Sequence, residues 1–159
     1  MDSSDNRVLV TGVPGRVGGV GSAIVEILRH KDLPVRALVL REDQRTDALR
    51  ANGVDVVVGD LTEARDVAGA LSGCRRMYFG MSVSPSYLEA TVTTAAVARE
   101  RPDLEVLVNI SQMTVSQMSL TEMTDSPQQR QQWLCEPQLR LCRTLAVGHQ
   151  SMRRLCSIA

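Results

Sequence analysis

The stretch Arg7-Val8-Leu9-Val10-Thr11-Gly12-Val13-Pro14-Gly15-Arg16-Val17-Gly18 decides how the rest of the chain is read. A short apolar run of strand type leads straight into a glycine cluster. Behind it Val17, Val20, Ile24, Ile27 and Leu28 recur at helical spacing, which predicts an amphipathic helix ending near His30-Lys31. A strand, a glycine turn and a helix in this order place backbone N–H groups and a helix N-terminus where a pyrophosphate can bind. Glycines stand at 12, 15, 18 and 21, so two registers of the motif fit. Gly12 directly follows the strand, which selects 12, 15 and 18. In that register Gly12 makes the turn, Gly15 lets the backbone approach the phosphates and Gly18 lets the helix pack close, with Arg16 and Val17 between them. Pro14 removes one potential N–H donor.

Outward from this turn, strands and helices alternate. Pro34 to Leu40 reads as a second strand and residues 43–52 as a short helix stopped by Gly53. Val54 to Val58 is nearly all valine, which predicts a third strand buried on both faces. Asp60-Leu61-Thr62-Glu63 has a capping-box pattern before a helix carrying Val67, Ala70 and Leu71. Met77-Tyr78-Phe79 lies in a fourth strand. Ser84-Pro85 suits the start of a long helix with Leu88, Val92, Ala95 and Ala96 on one face, and Leu104 to Ile110 is a fifth strand. Five βα units predict an α/β fold, a doubly wound parallel sheet of Rossmann type with strand order 3-2-1-4-5.

Composition narrows the function classes. Of 159 residues 43% are hydrophobic and 23% charged, and 18 basic residues balance 18 acidic ones. No global charge draws such a chain to nucleic acid or to a membrane surface, and no apolar run approaches the roughly 20 residues of a membrane span. The polar start, Met1-Asp2-Ser3-Ser4-Asp5-Asn6, predicts neither signal nor transit peptide and a cytoplasmic address. Cys74, Cys135, Cys142 and Cys156 form no metal-type spacing with His30 and His149. No metal site is expected; the thiols read as free in a reducing compartment, with a redox-sensing thiol as the alternative.

The second strand carries the choice of cofactor. Folds specific for NAD place an acidic residue at its end to bind the ribose 2′-hydroxyl. Here Val39-Leu40-Arg41 ends it, and an arginine suits a 2′-phosphate, so NADP is expected; Glu42 and Asp43 keep NAD open. After the third strand, Asp60 is placed to accept from an adenine amino group, with Leu61 against the ring.

Val10 to Gly18, Val35 to Arg41, Gly59-Asp60-Leu61-Thr62 and Ser126-Pro127-Gln128-Gln129-Arg130-Gln131-Gln132-Trp133-Leu134 together resemble the NmrA-like family of atypical short-chain dehydrogenases. The last of these segments is similar to one found in a bacterial and fungal branch. The resemblance runs from about residue 7 to about residue 136, and places an NAD(P)-binding domain at 1–136. It implies an NADP-preferring Rossmann fold. Some relatives are reductases of small, often aromatic or natural-product substrates, including members in fungal secondary metabolism. Others are non-catalytic NADP(H) sensors that contact a protein partner.

Two departures bear on activity. The Tyr-x-x-x-Lys acid/base pair common in short-chain dehydrogenases is absent, since neither Tyr78 nor Tyr87 has a lysine four residues on and Lys31 lies on the first helix. Ser111, at the end of the fifth strand, is the remaining catalytic candidate, with Gln112 and Met113 shaping its pocket. The resemblance also implies a sixth strand and a substrate lobe after the Trp133 helix. Residues 137–159 hold four arginines, no acidic residue and little periodicity. They read as a divergent, poorly ordered basic tail that leaves the sheet edge open. Three functions follow as expectations: an NADP-dependent oxidoreductase of small molecules, a sensor acting through a protein partner, or an inactive remnant.

Overall fold

The computed structural model describes residues 6–13, 19–140 and 145–149. Six parallel strands form one sheet: β1 (Arg7–Thr11), β2 (Val35–Val39), β3 (Asp55–Val58), β4 (Cys74–Phe79), β5 (Val106–Ser111) and β6 (Leu145–His149), in the order β3-β2-β1-β4-β5-β6. The helices are α1 (Val20–His30), α2 (Gln44–Ala51), α3 (Ala64–Leu71), α4 (Tyr87–Arg99), α5 (Met113–Ser116) and α6 (Pro127–Arg140). All five expected strands are present in the expected order.

Period-two alternation in the central strands builds two cores. Val8 and Val10 of β1, with Val35, Ala37 and Val39 of β2 and Tyr78 of β4, face Val25 of α1. Leu9, Leu38, Met77, Phe79 and Leu107 face the other way, against Val67, Ala70 and Leu71 of α3, Tyr87, Ala95 and Ala98 of α4, and Cys135 and Leu139 of α6. Strands buried on both faces explain the unbroken apolar runs of the sequence.

Several local expectations are corrected. The third strand is not buried on both faces: β3 is the sheet's edge, and Val58 is half exposed. On α1 the buried face holds Gly21 and Val25, whereas Ile27 is exposed. On α4 the inward residues are Tyr87, Ala90, Thr91, Thr94, Ala95 and Ala98; Leu88 and Val92 point to solvent and Ala96 is exposed. Burying Thr91 is tolerable because its hydroxyl donates to the Tyr87 carbonyl at 2.7 Å. This helix starts after Ser86 rather than at Ser84-Pro85 and has no side-chain cap. By contrast, Asp43 caps α2 as a full capping box with Thr46, and Gly53 follows the C-cap at φ +74°.

Of the expected tail, residues 141–144 and 150–159 lie outside the described residues. Helix α6 runs through Glu136 and Pro137 to Arg140, and Leu145–His149 then pair in parallel with Leu107–Ser111 as β6. The edge beside β5 is therefore covered. A parallel strand is held by main-chain hydrogen bonds, which leave no mark on side-chain periodicity.

Candidate functional site

The strand order reverses between β1 and β4, and ligands of such sheets bind at the carboxyl ends of the strands flanking that point. Here β1 ends at Thr11-Gly12 and β4 at Phe79-Gly80. The Thr11 hydroxyl donates to the Gly80 carbonyl and accepts from the Gly80 N–H, both at 2.9 Å, so one buried side chain ties the two strand ends together. Gly12 sits at φ +71°, and a Cβ there would come within 2.4 Å of the Gly80 oxygen. A Cβ on Gly21 would come within 2.9 Å of the Gly12 oxygen. Ser22 fastens the turn to α1 by donating to the Val13 carbonyl at 2.7 Å. Gly21 thus lets α1 approach the strand end, α1 beginning at Val20 after Gly19 at φ +56°; the sequence reading gave that role to Gly18, which lies outside the described residues. Gly15, Arg16, Val17 and Gly18, expected on the phosphates, lie outside the described residues.

Two cavities open from this floor. One, about 330 Å³, is lined by Leu38, Val39, Leu40, Gly59, Asp60 and Leu61. The other, about 360 Å³, passes Gly21 and Tyr78 to Ile110, Ser111, Gln112, Gln128 and Gln132. They share Gly12, Gly80, Met81 and Ser82, so together they make one groove across the carboxyl ends of the strands. Two glycine positions without room for a side chain, Gly12 and Gly21, beneath a two-lobed groove fit a dinucleotide. A larger cavity, about 480 Å³ between α1 and α2, is lined by Arg29, His30 and Asn52 and lies away from this switch point.

Of the expected residues, Gly12, Asp60 and Leu61 meet in the first cavity, and Gly12 and Ser111 in the second. Arg41 is exposed beside Leu40 and lines neither cavity. The acids after it are both engaged, Glu42 by Arg50 and Asp43 by Arg45. The Arg45 guanidinium holds the Asp43 carboxyl below its ordinary value. Asp60 does not cap α3. Its Oδ1 accepts from the Thr62 N–H at 2.9 Å and the Thr62 hydroxyl at 2.8 Å, and the N-cap position falls on Glu63, which has no side-chain cap.

Ser111 is buried and donates to Oε1 of Glu136, itself only 7% exposed. Gln132, one helical turn earlier on α6, is equally buried. Neither partner was foreseen; the four-residue spacing on the Trp133 helix is the signal that could have shown them sharing a face. Tyr87 is no acid/base group. Burial above all, with Cys135 and Glu136 close by, pushes its hydroxyl up to about 12, although Gln132 and Thr91 beside it pull the other way. Burial also raises Tyr78 and the free thiols of Cys74 and Cys135, which disfavours thiolate chemistry at those two cysteines. An ultraviolet titration of phenolate is expected to show no tyrosine ionising at the ordinary value of 10.0 and Tyr87 ionising near 12. Because the folded value is the higher one, the stabilisation from Tyr87 is complete below the unfolded value and is lost as pH rises toward 12. A native tyrosine titrating at its ordinary value would contradict this packing.

Among the described residues no cluster of His, Cys, Asp or Glu could hold a metal ion, and no helix is long and apolar enough to cross a membrane.

Comparison with known proteins bears on the groove. An NAD(P)H azoreductase of Xenophilus azovorans is 30% identical over 129 residues, covering 79% of this chain and 41% of that protein. The chain thus spans less than half the length of that relative. An anaerobillin reductase from Escherichia coli O157:H7 superposes with a TM-score of 0.72 at 21% identity, over 89% of this chain and 71% of that one. Leucoanthocyanidin reductase from Vitis vinifera, in its binary complex with NADPH, superposes with a TM-score of 0.74 at 12% identity, over 89% and 48%. These likenesses show the Rossmann-like fold. The sequence pattern described as NAD(P)H-binding matches residues 15–138, and the chain belongs to that NAD(P)H-binding family.

Proposed function

We propose that this chain carries the cofactor-binding part, residues 1–136, of an NADP-preferring reductase of the NmrA-like kind that acts on a small molecule in the cytoplasm. The continuous two-lobed groove over Gly12 and Gly80 carries this reading. The adenine end lies by Asp60 and Leu61, the pyrophosphate over the glycine turn with Gly15, Arg16, Val17 and Gly18, and the nicotinamide end by Ser111. When bound, NADPH supplies hydride. The chain's own part is to hold that end against β5 and to exclude water from it. An NAD(P)H azoreductase among the relatives supports reductase chemistry; a small aromatic or natural-product substrate in secondary metabolism is the setting we propose.

Arg41 is the proposed partner of a 2′-phosphate. With Glu42 and Asp43 each engaged by an arginine, their charge opposes that phosphate less. Arg41→Ala is expected to weaken NADP⁺ binding about tenfold and leave NAD⁺ binding unchanged. Isothermal titration with both nucleotides measures it, and equal losses for the two would remove Arg41 from the site. A second reading, a non-catalytic NADP(H) sensor with a protein partner, draws support from the burial of Tyr87 and the absence of a tyrosine–lysine pair. Steady oxidation of NADPH with azo and quinone substrates would decide for the reductase.

A further inference from the structure

Three glutamines line the cavity at the end of β5, and they differ in what their oxygens do. Oε1 of Gln112 accepts from Nε2 of Gln129, and Oε1 of Gln128 accepts from the Ser126 hydroxyl. Oε1 of Gln132 is buried and has no partner. Leaving an amide oxygen in that condition is costly unless something else completes it.

The neighbouring group has the same polarity. Ser111 sends its proton to Glu136, one turn beyond Gln132 on α6, so what Ser111 keeps for the cavity is lone-pair density. Gln132 and Ser111 therefore offer acceptors while the amide N–H groups of Gln112 and Gln128 are left to donate, so this wall suits a ligand group that carries both N–H and C=O. The cavity is continuous with the glycine turn through Gly12 and Gly80, and in a dinucleotide laid along it the N–H-bearing group at this end is a primary carboxamide. Resting on the cofactor reading above, we propose that Gln132 Oε1 accepts a hydrogen bond from the nicotinamide carboxamide of bound NADP(H). Gln132 is thus a positioning residue for the ring.

The test compares binding of NADP⁺ with that of its 3-acetylpyridine analogue, whose acetyl group has no N–H. Isothermal titration of the wild-type chain is expected to show NADP⁺ bound about tenfold more tightly than the analogue. Gln132→Met should abolish that preference by weakening NADP⁺ alone, and Gln132→Glu, which keeps an acceptor oxygen, should retain it. A preference unchanged in Gln132→Met, or absent in the wild type, overturns the assignment; the wild-type comparison decides even if a variant fails to fold. Adenosine 2′,5′-bisphosphate separates the two levels of the reading. If it and NADP⁺ bind while the preference is missing, only the carboxamide contact fails. If neither binds, the cofactor reading falls with it.

Discussion

Gly12→Ala is expected to lower stability by about 2–5 kcal/mol and to remove nucleotide binding from whatever remains folded. Two costs combine. A side chain at φ +71° is strained wherever it sits, and the Cβ would stand 2.4 Å from the Gly80 carbonyl oxygen. That oxygen cannot easily withdraw, because the Thr11 hydroxyl holds it. To make room, the ends of β1 and β4 must part, and that opens the floor shared by both cavities. Gly19→Ala separates the two costs. Gly19 also has a positive φ, +56°, yet nothing lies within 4 Å of its Cβ position, so only the conformational cost of about 1–2 kcal/mol should appear. Thermal unfolding of both variants, with and without NADP⁺, measures the difference. Similar midpoints for the two would show that the close approach at Gly80 carries no weight.

Phe79→Ala is expected to cost about 3–5 kcal/mol, the range for emptying a well-packed aromatic site. Phe79 is fully buried, immediately precedes Gly80 and tilts against Tyr87 with ring centroids 6.1 Å apart. Its loss would leave a hole between β4 and α4 directly under the groove. Chemical denaturation should show a lower midpoint with an unchanged slope. Leu88→Ala on the same helix α4 is the control. Leu88 is 41% exposed, and truncating it should change stability by no more than about 0.5 kcal/mol. Comparable losses would mean that α4 presents Leu88, not Tyr87, to the sheet.

That last contrast shows where sequence reading reached its limit. Apolar runs announce strands, so β1, β2, β4 and β5 could be placed from them, but not whether both faces are buried: the valines of β3 form such a run at the sheet's edge, and β5 alternates buried with half-buried residues. Helix faces were harder. The largest apolar residues of α4, Leu88 and Val92, suggested one face, but the helix packs through alanines and threonines because α3 and α6 crowd it. Thr91 could go inside only by bonding its own helix, which composition does not reveal. In the site, Gly12, Asp60, Leu61 and Ser111 were legible because each stands at the end of a strand. Gly21, Gln132 and Glu136 were not, since their importance comes from what another element brings opposite them. Strand β6 was missed for a related reason: a short edge strand depends on its neighbour's main chain more than on its own side chains.

The order of these pieces along the chain has a meaning in time. The floor at Thr11 and Gly12 and the cavity wall from Leu38 to Leu61 belong to the first part of the polypeptide, and Gly80 closes them. Ser111 receives its carboxylate from Glu136, far later, and β6 follows later still. During synthesis from the N-terminus, every residue from Leu38 to Leu61 that lines the first cavity is therefore made well before the residues that complete the opposite end of the groove.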